Sequence, residues 1–68
     1  MFNDKLFRSK VVLNGLTLAE TANRIGINES TLHKKLSNEG SFTRAEIMKL
    51  ITVLGLSPED VQNIFFAE

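Results

Sequence analysis

The chain's single histidine, His33, stands in the run Glu29-Ser30-Thr31-Leu32-His33-Lys34-Lys35. A metal site there needs a second histidine or a cysteine at ligand spacing, and the chain has no cysteine and no other histidine. Nucleophilic chemistry needs a hydroxyl beside a base. The candidate hydroxyls have a simpler use. Thr17 and Thr43 open capping boxes with Glu20 and Glu46, and Ser57 precedes Pro58-Glu59-Asp60, a helix start. The carboxylates fall at caps and helix ends. Gly26, Gly40 and Gly55 end apolar-periodic segments and form no phosphate loop. The expectation is therefore no catalytic residue, no metal, no cofactor and no enzyme. The run itself is dense in groups that hydrogen-bond or attract anions, which is the chemistry of recognition.

Positioning that run falls to the stretch from Leu16 to Asn38, which reads as two short helices joined by a tight turn. Thr17 caps the first, and Leu18, Ala22 and Ile25 share one face. Gly26 stops it by taking the left-handed conformation. Ile27 plugs the gap between the helices. Asn28 caps the second helix, Glu29 to Ser37, which buries Leu32 and Leu36. Its other face presents Glu29, Ser30, Thr31, His33, Lys34 and Lys35. Adjacent lysines cannot share a face, so one of Lys34 and Lys35 points outward and the other elsewhere.

The flanks are helical too. Asn3 or Asp4 can cap a first helix that Asn14-Gly15 ends at Leu13. Leu6, Phe7 and Val11 suit its core face. Phe2, Leu6, Ser9 and Leu13 form a rival stripe, and on a second reading of this helix Val12 or Leu13 contacts a partner. Asn38-Glu39-Gly40-Ser41-Phe42 is a loop, with Phe42 pinning it to the core. Ile47, Leu50, Ile51 and Leu54 recur at helical spacing after Thr43, and Gly55 ends that helix. Val61, Ile64 and Phe65 face inward from a last helix, while Phe66 lies about 100° off that face. Leu32, Leu36, Ile47, Leu50, Ile51 and Phe65 are the expected core.

The Leu16–Asn38 stretch resembles the helix-turn-helix of the phage Cro and repressor family. Ala22 at the close helix crossing, Gly26 in the turn, and Ile25, Ile27, Leu32 and Leu36 in the small core carry the resemblance. The phrase from Ser30 to Asn38 is similar to a recognition helix of small phage-type members. Leu18 stands where members often have a glutamine that touches a phosphate, and Thr21 holds a usually apolar position. The resemblance implies an all-α, compact five-helix, lambda-repressor-like bundle with its motif at about residues 17–37, spanning residues 1–68 as one domain. It implies a sequence-specific DNA-binding transcriptional regulator. Glu29, Ser30, Thr31, His33 and Lys34 would then face the bases of the major groove. Asn28, Lys35, Asn38, Ser41, Thr43 and Arg44 would meet phosphates of the double-stranded operator. A weak homodimer, at least on DNA, would use Phe66.

The whole chain sets bounds on these readings. It has 68 residues, 43% of them hydrophobic, enough for one small core. No apolar run approaches the ~20 residues of a membrane span, and the first residues lack a signal-peptide pattern. A soluble protein of the cytoplasm, in a bacterial or phage-infected cell, is the expectation. Net charge is zero, unlike the usual basic DNA binder. The charges are nevertheless sorted. Asn23 to Arg44 holds Arg24, Lys34, Lys35 and Arg44 against Glu29 and Glu39. Ala45 to Glu68 holds Lys49 against Glu46, Glu59, Asp60 and Glu68. Such a polarised molecule can orient on a duplex. The weak net charge, Glu29 and Leu18 also suit a second class of reading, a protein-binding module that captures another regulator.

Overall fold

Each helix starts where a side chain can satisfy its first N–H groups. In the computed structural model, which describes residues 1–67, Asn3 accepts the Leu6 N–H and opens α1, Asp4–Leu13. Thr17 and Glu20 close a reciprocal capping box on α2, Leu18–Arg24. Asn28 caps α3, Glu29–Ser37. Thr43 with Glu46 and Ser57 with Asp60 do the same for α4, Arg44–Leu54, and α5, Pro58–Phe65. No strand occurs among the described residues. Glu68, counted above among the acids of the far half, lies outside them.

The ends of α1, α2 and α4 share one device. The N–H groups of Leu16, Ile27 and Leu56 each reach back five residues, to Val11, Ala22 and Ile51, at 3.0–3.1 Å. Each follows a glycine, and each folds its apolar side chain onto the core. This is the six-to-one closure of a helix end together with its hydrophobic contact. Gly26, at φ +82°, makes it possible between α2 and α3.

The core is Phe7, Val11, Ala22, Ile25, Leu32, Leu36, Leu50, Leu54, Leu56 and Ile64. Every helix contributes to it. Thr21 is fully buried, and its hydroxyl donates to the Thr17 carbonyl, so this polar side chain carries no unsatisfied group. Asn3 N–H to Ile64 O (2.7 Å) ties the start of α1 to the end of α5. Asn14 Nδ2 to Leu54 O (3.0 Å) ties the end of α1 to the end of α4. The radius of gyration is 10.6 Å, close to the ~11 Å expected of a compact chain of this length.

Three core expectations need correction. Ile51 and Phe65 are half-buried and pack against the core from its edge. Ile47 is half-buried and lies outside the apolar cluster. Its turn of α4 is anchored by an ion pair, Lys35–Glu46, rather than by apolar contact. Leu54 and Leu56 seal the other end of α4. On α1, Phe7 and Val11 are buried and Leu6 half-buried, whereas Val12 and Leu13 are exposed. The rival stripe is therefore not the core face.

Candidate nucleic-acid interface

α3 is held by its cap at one end and by its apolar seam along its length. Asn28 Oδ1 accepts both the Thr31 N–H and the Ser30 hydroxyl, each at 2.8 Å. Leu32 and Leu36 turn inward. With about 100° per residue, the opposite side of the helix centres on Lys34, flanked by Ser30 and Ser37. All three are exposed. Ser37 Oγ donates to the His33 carbonyl (2.9 Å), which keeps that hydroxyl close to the helix.

Glu29 and His33 occupy one flank. Their side chains are one turn apart, with Oε2 and Nε2 at 3.3 Å. Thr31 occupies the other flank and is half-buried.

The adjacent lysines separate as their spacing requires, and one changes role. Lys34 is exposed and has no acidic partner within ion-pair distance among the described residues. Lys35 lies back against the start of α4. Its Nζ is 3.1 Å from Glu46 Oε1, donates to the Ser41 carbonyl at 3.2 Å, and sits 5.9 Å from the Phe42 ring centroid. Lys35 was expected at a phosphate. Its ammonium is engaged by the protein's own groups at the α3–α4 junction, so it serves there as a brace.

Glu46 is the other half of that brace. Burial alone would push its carboxyl up, but the Thr43 N–H and the Lys35 ammonium outweigh that and hold it below the ordinary carboxylate range. The α4 cap therefore carries a firmly ionised acid, paired with a lysine. Beside it, Arg44 is exposed and has no acidic partner among the described residues.

The loop that presents Ser41, Thr43 and Arg44 rests on aromatic rings. Phe2, Phe7, Phe42 and Phe65 pack with centroids 5.8–6.0 Å apart. The Phe2 ring lies over Gly40, at φ +66°, so a side chain there would collide with the ring as well as strain the backbone. Asn38 is an exposed C-cap of α3.

Subtracting the internal pairs clarifies the charge map. Arg8–Asp4, Lys10–Asp60 and Lys35–Glu46 cancel within the molecule. Among the described residues the unpaired cations are then Lys5, Arg24, Lys34, Arg44 and Lys49, and all but Lys5 belong to α2, α3 and α4. Residue types alone did not single out Arg24 and Lys49. They flank a groove between α2 and α4, a relation that exists only once the helices pack. Leu18 is half-buried against the core, as an apolar residue should be, and offers no phosphate contact.

No helix among the described residues is long and apolar enough to cross a membrane, and none of their acidic or histidine side chains cluster as metal ligands would. A family model described as "Protein of unknown function (DUF739)" matches residues 4–68. No curated protein and no solved structure matches the chain.

Proposed function

The chain belongs to the DUF739 family, and we propose that this member is a sequence-specific DNA-binding regulator of the Cro or small-repressor type, using α3 as its reading helix. One observation carries the reading. The exposed face of α3 is wholly polar and centred on Lys34, and Lys34 and the cations Arg24, Arg44 and Lys49 on neighbouring helices have no acidic partner among the described residues. Such a surface suits the major groove, which admits one helix and offers hydrogen-bonding edges to Ser30, Thr31, His33 and Lys34. Glu29 can accept from a cytosine amino group there. Asn28, Asn38, Ser41, Thr43 and Arg44 are the phosphate-side set. At the start of α4 the Arg44 guanidinium adds charge to N–H groups that have no intrahelical acceptor. A weak homodimer would place two such helices one turn of DNA apart, about 34 Å.

The test is a salt series on bulk duplex DNA, followed by selection of bound sequences from random DNA. A reader of DNA shows affinity that falls steeply with salt. Arg44→Ala should weaken preferred and scrambled duplexes by similar factors and lower the salt slope by about one. The second reading, capture of another regulator, draws on half-buried Leu18 and on the open apolar groove between α2 and α4. It requires little duplex affinity even at low salt, and that result would replace the first reading.

A further inference from the structure

The groove between the end of α2 and the outer side of α4 encloses about 450 Å³ and is lined by Arg24, Met48, Lys49, Thr52 and Val53. Its apolar part is Met48, 60% exposed, beside half-buried Val53. Arg24 and Lys49 have no acidic partner among the described residues. The Lys49 ammonium reaches toward the Gly26 turn, 3.8 Å from where a Cβ would stand. A surface of this kind suits an apolar knob that arrives with a carboxylate.

The chain carries such a knob on α5. Glu59, Gln62, Asn63 and Phe66 follow at helical spacing on the side away from buried Ile64. Phe66 closes the last turn with its N–H on the Gln62 carbonyl (3.1 Å) and is 56% exposed. Glu59 is exposed and unpaired among the described residues. Seven residues of helix put the acid about 10 Å from the ring along one stripe. Knob and groove carry opposite charge, and Phe66 is not part of its own chain's groove.

We infer that Phe66 of one copy seats on Met48 and Val53 of a second copy, with Glu59 directed at Arg24 and Lys49. The partner is thus another molecule of this chain, held through two different surfaces. Made reciprocally, this contact closes a two-fold pair; made in one direction only, it forms a ring or runs on as an open array, depending on the rotation it imposes. One ring in one groove buries far less than the ~1,200 Å² of stable interfaces, so the association is weak and concentration-dependent.

Sedimentation equilibrium of the full chain without DNA, up to millimolar concentration, tests this separately from any nucleic-acid function. Phe66→Asp should weaken self-association at least about tenfold, the loss of a buried aromatic contact. Lys49→Glu and Glu59→Lys should each weaken it about two- to fivefold, as exposed charges do. An equimolar mixture of those two variants should associate better than either alone, because the intact stripe of one meets the intact groove of the other. Circular dichroism should show all three variants fully helical. A chain that stays monomeric at millimolar concentration overturns the inference. So does a Phe66 effect without rescue in the mixture, since Phe66 would then seat elsewhere, for example on exposed Val12 and Leu13.

Discussion

Lys34 and Lys35 are neighbours in sequence and opposites in use. The outer face of α3 leaves Lys34 exposed among hydroxyls, with no acidic partner among the described residues. One residue on, at the α3–α4 junction, Lys35 is bound to Glu46 and to the Ser41 carbonyl. The side chains of that ion pair are only 18% and 14% exposed. The free cation costs the fold nothing and is available to an outside anion. The bound one ties the last turns of α3 to the start of α4, two residues from Arg44. Identical side chains are left exposed or tied down as a strut according to which way the helix turns them.

Both regions stand on Leu50, which is fully buried in α4. Leu50→Ala should cost about 2–5 kcal/mol, the largest effect considered, because it removes packing and leaves a cavity. At about 4–8 °C per kcal/mol for a domain of this size, melting should fall by more than about 8 °C. A melting point within a few degrees of the parent would break the common-core premise. On the α3 face, Lys34→Ala should cost about 1–3 kcal/mol on the preferred duplex and little on a scrambled one. Its stability should stay within about 0.5 kcal/mol of the parent's. If Lys34→Ala leaves both duplex affinities unchanged, the outer face does not meet bases.

Lys35→Ala should behave the other way round. Glu46 would lose its partner in a poorly hydrated spot, at about 1–2 kcal/mol, read as a lower melting point. Equal melting points for Lys34→Ala and Lys35→Ala would erase the distinction between face and junction. The smallest effect is acid dependence. The folded state holds the Glu46 carboxyl below its ordinary value of 4.5. Its contribution to stability is therefore complete above pH 4.5 and fades as pH falls through the lower folded value. Asp60 at the α5 cap is lowered in the same sense, first by the Ser57 N–H and then by Lys10. Glu46→Gln should thus lower the melting point at neutral pH and flatten its decline below pH 4.5. A parallel decline in both proteins would remove Glu46 from the acid response.

The helices and their limits were legible in the residues, because a cap and a glycine stop act within one turn. Thr17 with Glu20 and Thr43 with Glu46 form as their three-residue spacing requires. Asn28 caps α3, and Gly55 ends α4 in the left-handed region, both from local geometry alone. The polar face of α3 was legible for the same reason, since Leu32 and Leu36 leave only one side for its polar residues. Core membership was less so. Leu56 is a lone apolar residue after a glycine, outside any periodic stripe, and it is buried because the end of α4 folds it back. Ile47 fits the stripe and still lies outside the apolar cluster, because its turn is held by Lys35 and Glu46. Which lysine is free, and that Arg24 of α2 and Lys49 of α4 share a groove, depended on pairs eleven and more residues apart. Those pairs meet only through the crossing of packed helices, which local spacing does not encode.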